Sequence, residues 1–227
     1  MTPKYHSLND LINMIDEPNR TSCNKLIEDN KERFRIAVGS SHNHQNWIGG
    51  YVDHLCEIMN LAVVFYRTLN GLRPLTFSLS DALLALYLHD LEKPWRYQTD
   101  AEGNCKINPA LADKKKTALA FVEQKAKEYN FTLTEEHWNA VKYAEGEKDD
   151  YSPGKRTSSS LAAFVHLCDS WSARGWYDCP ITPDFNNSLQ IVKSGEYTEG
   201  QFKNESNVLQ YRKENDEWTG AKRSVSD

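Results

Sequence analysis

A chain of 227 residues suits one domain with additions, and its 39% apolar content is enough for a real core. The net charge of −5 argues against a broad electrostatic grip on duplex nucleic acid, and five scattered cysteines, none in a CxxC pair, give no disulfide framework and fit a reducing cytoplasm. No stretch approaches the roughly 20 apolar residues of a membrane span, and no early apolar run is long enough for a signal peptide.

Residues 1–39 predict one short and one longer helix, a helical extension packed on the domain that follows. Leu8, Leu11, Ile12 and Ile15 fit helical spacing, and Pro18 interrupts it. Over 22–38 the inward residues are expected to be Leu26, Phe34 and Ile36. Residues 40–50 are small and polar and read as a loop. A long helix is expected over 51–69, where Leu55, Ile58, Met59, Ala62 and Tyr66 form one stripe at spacings of three and four. His54 lies beside that stripe near the helix start. A protonated imidazole gains nothing from the dipole there, so a neutral metal-ligating histidine is physically reasonable. A core-edge histidine bonded to a carbonyl is the plainer alternative. Residues 70–77 read as a turn containing Gly71 and Pro74.

The run SDALLALYLHDLEKPW over 80–95 predicts the central helix. Ser80 can cap it, with Asp81 in its first turn. Leu83, Leu84, Ala85, Leu86 and Leu88 leave little polar face, so the helix is expected to be buried. It ends on His89-Asp90, just before Pro94. Two ionisable groups at a buried helix end cost on the order of several kcal/mol unless something binds them. A divalent cation is the simplest compensation; a hydrogen-bonded histidine beside a capped aspartate is the alternative.

Residues 95–108 read as a loop. A helix over 110–129 follows, whose Lys114-Lys115-Lys116 run is expected to be a solvated face. Another helix is expected over 133–143, then a polar loop to 160. The last helix spans 161–173, with Leu161, Phe164, Val165 and Cys168 inward and His166 and Asp169 sharing a face. From 176 onward the chain becomes a polar extension whose end is expected to be mobile. Within it Leu189, Gln190, Ile191 and Val192 suggest a small β-hairpin with Tyr197 or Phe202.

Three pieces stand out in order: Gly49-Gly50 followed by His54, then His89-Asp90-Leu91-Glu92-Lys93, then Asp169. Over about residues 40–175 they resemble the HD-domain metal-dependent phosphohydrolase superfamily. That pattern has an early histidine, a His-Asp pair at a helix end and a late aspartate. The resemblance implies an all-α, HD-domain-like helical bundle with His54, His89, Asp90 and Asp169 as metal ligands. Mixed nitrogen and oxygen ligation suits Mn, Fe, Co, Ni or Zn, and Mg less well. Some members hold two metals with the help of a His-His-Gly. The matching stretch here is Ala144-Glu145-Gly146, which lacks both histidines, and His137 nearby is out of register. About one divalent transition metal per chain is therefore expected. Glu145 can replace a ligand or act as acid or base; an exposed loop glutamate is the alternative.

Lys93 matches the lysine that follows His-Asp in the family, and it and Arg174 can bind phosphate as point charges. Glu92 stands where the family usually has glycine. His44 and Trp47 match the run before the first ligand and are candidates to line the pocket, with loop packing as the alternative. His166 is expected to support the ligands rather than join them.

The implied function is hydrolysis of a phosphoester by metal-activated water, with Asp90 placed to orient or deprotonate that water. The substrate is expected to be a nucleotide or a similar small phosphorylated metabolite, with no duplex nucleic acid and no membrane as partner. Two alternatives stand beside it: an HD-fold iron oxygenase, which the missing histidines weigh against, and a non-catalytic nucleotide-binding module.

Overall fold

Two helices form the centre of the molecule, one apolar almost throughout and one buried over its N-terminal half. The computed structural model describes residues 5–41, 44–99 and 105–175. Helix α1 covers Leu8–Ile12, α2 Asn19–Asp29 and α3 Lys31–Ile36. The long α4 covers Gly50–Leu72 and α5 covers Leu79–Leu88. The short α6, Lys93–Arg96, leads into an antiparallel pair, β1 Tyr97–Thr99 and β2 Cys105–Ile107. Helices α7 (Lys114–Glu128), α8 (Glu135–Lys142) and α9 (Ser160–Gly175) complete the described chain. Among the described residues the fold is all-α apart from that antiparallel pair, and no described helix is long and apolar enough to cross a membrane.

Every residue of α4 from position 50 to 62 is buried, as is every residue of α5 from 82 to 88. A helix that is apolar all round must be covered all round. α5 meets α4, α8 and α9, while α1 and α3 also pack on α4. Leu8, Leu11, Cys23, Leu26 and Phe34 of the N-terminal helices belong to the same core as Ile58, Leu84, Leu86 and Val165.

Side-chain caps set the helix starts. Ser78, not Ser80, caps α5: its hydroxyl accepts from the Asp81 amide, while the Asp81 carboxylate accepts from the Ser78 amide. The S-x-x-D spacing marks this box and overrides the simple cap expected at Ser80. Ser80 instead uses its hydroxyl to accept from the Asp16 amide, tying the α1–α2 connection to α5. The same box starts α1 with Ser7 and Asp10, and α8 with Thr134 and His137.

The structure corrects four further expectations. The helix expected over 22–38 is broken at Asn30, whose side chain donates to the Leu26 carbonyl and the Tyr129 hydroxyl. α4 runs three residues beyond the expected end and absorbs Gly71. Residues 97–99 and 105–107 pair as antiparallel strands, with Tyr97 opposite Ile107, where a loop was expected; strands of three residues are too short to show alternation. Lys114 opens α7 but is half-buried rather than solvated, for reasons given below. The C-terminal extension of 176–227 and its hairpin lie outside the described residues.

Gly49 and Gly50 have separate causes. Gly49 sits at φ +82° and starts α4 from the left-handed region, where side chains are strained. A Cβ at Gly50 would stand 1.9 Å from the Gln45 carbonyl oxygen. Gly50→Ala should therefore cost about 1–3 kcal/mol or more through overpacking. Gly71→Ala, where nothing lies within 4 Å, should gain about 0.5 kcal/mol from reduced chain entropy. Urea unfolding followed by circular dichroism measures both; equal effects would contradict this account of the Gly-Gly step.

Candidate metal centre

His54 sits in the second turn of α4, His89 is the residue that closes α5, Asp90 follows it, and Asp169 lies in the middle of α9. All four are buried. One ligand atom from each falls in a group whose members all lie within 4.8 Å of one another. His54 Nε2 is 3.1 Å from Asp169 Oδ1 and 3.8 Å from Asp90 Oδ2. His89 Nε2 is 3.1 Å from Asp90 Oδ2 and 3.5 Å from Asp169 Oδ1.

The other ring nitrogens fix which way the imidazoles face. His89 Nδ1 donates to the Leu86 carbonyl at 2.7 Å, so in the neutral ring Nε2 carries the lone pair. His54 Nδ1 bonds the Ser172 hydroxyl at 3.0 Å, and that hydroxyl donates to Glu57 Oε2 at 2.6 Å. Gln45 adds its amide to the same Glu57 oxygen at 3.0 Å. A hydroxyl committed to a carboxylate accepts from its other neighbour, which again leaves Nε2 of His54 as the acceptor. Neither Nε2 makes a hydrogen bond of good geometry. Two orphaned imidazole nitrogens facing two carboxylates are a donor set that fits a divalent transition metal.

Charge in the cluster is finely opposed. Burial pushes His54 down. Burial also pushes on His89, but the carboxylates of Asp90 and Asp169 outweigh it and lift this histidine to about 10. Asp169 is held low against burial by the two histidines that face it. Asp90 is held low against burial by Lys114, Lys93 and His89.

Two of the four, Asp90 and Asp169, line a cavity of about 770 Å³. Lys93, Lys114, Lys148 and Arg174 line it, with Glu145, His44 and His166. The structure thus brings most of the expected site residues to one place, with some changes of role. Lys93 is almost fully buried and pairs with Asp90 Oδ2 at 2.6 Å, so it holds a ligand as well as facing the cavity. Arg174 lines the wall. Glu145 contacts the ammonium groups of Lys114 and Lys148 and is outside the four-ligand group. The ring centre of His44 is 5.0 Å from that of His54, and burial pushes His44 down to about 3, so it is neutral. Trp47 does not line the cavity: it is fully buried and its indole N–H donates to Asp53, the loop-packing role. His166 bonds the Ala144 carbonyl at 2.8 Å. His137 caps α8 and reaches Asp81, at the opposite end of α5 from His89.

Several residues of the site were not expected. Glu57 and Ser172 lie three residues after His54 and Asp169 on their helices, and that spacing was the available signal. Gln45 carried no signal, since a loop glutamine is ordinarily solvated. Lys114 was hidden inside a lysine run. Comparison with protein-family models, curated proteins and solved structures finds no match for the chain.

Two predictions follow from this chemistry. Cation binding needs His89 deprotonated, so binding at pH 7 should release about one proton, and apparent affinity should rise about tenfold per pH unit below 10. The linkage runs the other way for the cation-free protein: a raised folded-state pKa contributes stability that is full below 6.5 and is lost as pH rises through about 10. Calorimetric titration with Mn²⁺ or Zn²⁺ in buffers of different ionisation enthalpy counts the proton; none released would contradict the assignment of His89.

Ser172→Ala should lower metal affinity about 10–100-fold while leaving all four ligands in place, because it frees the His54 ring. Competition with a fluorescent chelator reads this, and an unchanged affinity would remove Ser172 from the site.

Proposed function

We propose that the protein is a metal-dependent phosphohydrolase with an HD-domain-like helical bundle. The observation that carries the reading is that Asp90 and Asp169 of the four-ligand group open onto a cavity also lined by Lys93, Lys114, Lys148 and Arg174. A nitrogen and oxygen donor set with several cations beside it suits an ester of phosphoric acid, whose oxyanions need both. The resemblance of the His54, His89-Asp90 and Asp169 pattern to that superfamily supports the same reading.

His54, His89, Asp90 and Asp169 would hold the ion, which when bound would lower the pKa of a water molecule and offset charge on phosphate. The residues of the chain do the rest. The Leu86 carbonyl and the Ser172–Glu57–Gln45 relay keep both imidazoles facing inward. Arg174 and the lysines bind phosphate oxygens, and Asp90 orients the water that attacks. The substrate in this reading is a nucleotide or similar small phosphoester. A second cavity of about 300 Å³ shares Lys114, Glu145 and Lys148 with the first and is lined by Leu119, Val122, Val141 and Tyr143. It suits the organic part of such an ester.

One observation favours a second reading. Lys93 and Lys114 already compensate Asp90, which suits a phosphate-binding module that performs no reaction. Phosphate release from a panel of nucleotides and phosphodiesters with Mn²⁺, Co²⁺ or Ni²⁺ separates the two. The hydrolase reading expects Asp169→Asn to reduce kcat by about 10²-fold or more through loss of a ligand. It expects Arg174→Ala to raise KM chiefly, and Lys93→Ala to change both kcat and KM, since Lys93 also holds Asp90. No turnover of any substrate, with a nucleotide still raising the melting temperature, would favour the binding module.

A further inference from the structure

Lys114 reaches from the first turn of α7 into a nest of carboxylates. Its Nζ is 3.0 Å from Asp90 Oδ1, in contact with Glu145 Oε1, and 3.8 Å from Glu92 Oε1. The three acids come from the turn after α5 and the loop after α8, so separate parts of the chain converge on one ammonium. Asp90 is divided between two neighbourhoods. Its Oδ2 faces the imidazoles, 3.1 Å from His89 Nε2, and its Oδ1 faces the lysine.

Glu92 is an independent sign that this second position is built for positive charge. It is completely buried, and neither carboxylate oxygen makes a hydrogen bond. An acid in that state is costly unless a cation is close, and its ion-pair partner among the described residues is Lys114. A carboxylate that offers one oxygen to each of two cations brings them within about 4 Å, the spacing at which paired ions clamp a phosphoryl group.

We propose that Lys114 is the tethered second cation of this site, its ammonium standing against Asp90, Glu92 and Glu145 where a second divalent ion would otherwise bind. The inference rests on the metal-centre reading above. Two of the three N–H donors of the ammonium serve Asp90 and Glu145. The side chain is one-third exposed and lines the cavity, which leaves the third donor for an oxyanion of the substrate. Lysine suits the task because its compact ammonium acts as a point charge on a long stem.

The test counts bound Mn²⁺ by equilibrium dialysis of the full chain as wild type, Lys114→Arg and Lys114→Ala. Wild type and Lys114→Arg should saturate at about one ion per chain even at millimolar Mn²⁺, and Lys114→Ala at about two. Adding Glu92→Gln to Lys114→Ala should weaken the second ion about tenfold or more while sparing the first. Lys114→Ala saturating at one ion, or wild type accepting two, overturns the proposal while leaving the metal centre intact. A wild type that binds none sinks the metal centre itself. If Lys114→Ala unfolds in Mn²⁺-free buffer, refolding on addition of Mn²⁺ supports the proposal, and failure to refold counts against it.

Discussion

The burial of Asp90 is the constraint on which the rest of the site depends. α5 is apolar on every side, so the chain that leaves it delivers His89 and Asp90 into the interior. A carboxylate there demands compensation. Lys93, Lys114 and His89 all answer that demand, and Glu92 adds a further buried acid beside it. Asp169 and Glu145 bring more negative charge from α9 and from the loop after α8. Lysines supply part of the positive charge that these acids call for, and the group of His54, His89, Asp90 and Asp169 could hold an ion as well.

Holding that arrangement requires structure well away from the ligands. The step at Gly49-Gly50 lets the preceding loop press its Gln45 carbonyl against the start of α4. That approach carries the Gln45 side chain to Glu57 and Ser172, and Ser172 to His54. The glycine pair and the first histidine are therefore connected through a chain of contacts that crosses from the loop to α4 and α9. His137 shows how a histidine near a site can serve only the fold: it closes the capping box of α8 and bonds Asp81 at the far end of α5.

Much of this was legible in the sequence, for physical reasons. The apolar run of α5 made its burial plain, because a helix without a polar face has to be covered, whereas the sequence of α4 showed only one inward stripe. The cost of ionisable groups at a buried helix end marked His89 and Asp90, whereas His54 and Asp169 were picked out with them by the order and spacing that resemble the HD-domain pattern. What escaped was set by tertiary contact. A lysine in a lysine run carries no mark of which member turns inward, so Lys114 read as solvated. Ser78 was passed over for Ser80 because the reading stopped at a single cap residue and ignored the reciprocal spacing to Asp81. Trp47 looked like a pocket residue by its place in the loop, but its indole had a closer partner in Asp53. The antiparallel pair of 97–99 and 105–107 has only three residues per strand, and no period can be read from so few.

X-ray absorption spectroscopy of the purified protein loaded with Zn²⁺ or Co²⁺ tests the central claim most directly. The account predicts a first shell of nitrogen and oxygen with no sulfur, at about 2.0–2.2 Å, and outer-shell scattering from two imidazoles. That imidazole signature should fall by half in His89→Ala. A spectrum with sulfur ligands, or one whose imidazole scattering is the same in His89→Ala as in the wild type, would contradict the placement of the metal at His54, His89, Asp90 and Asp169.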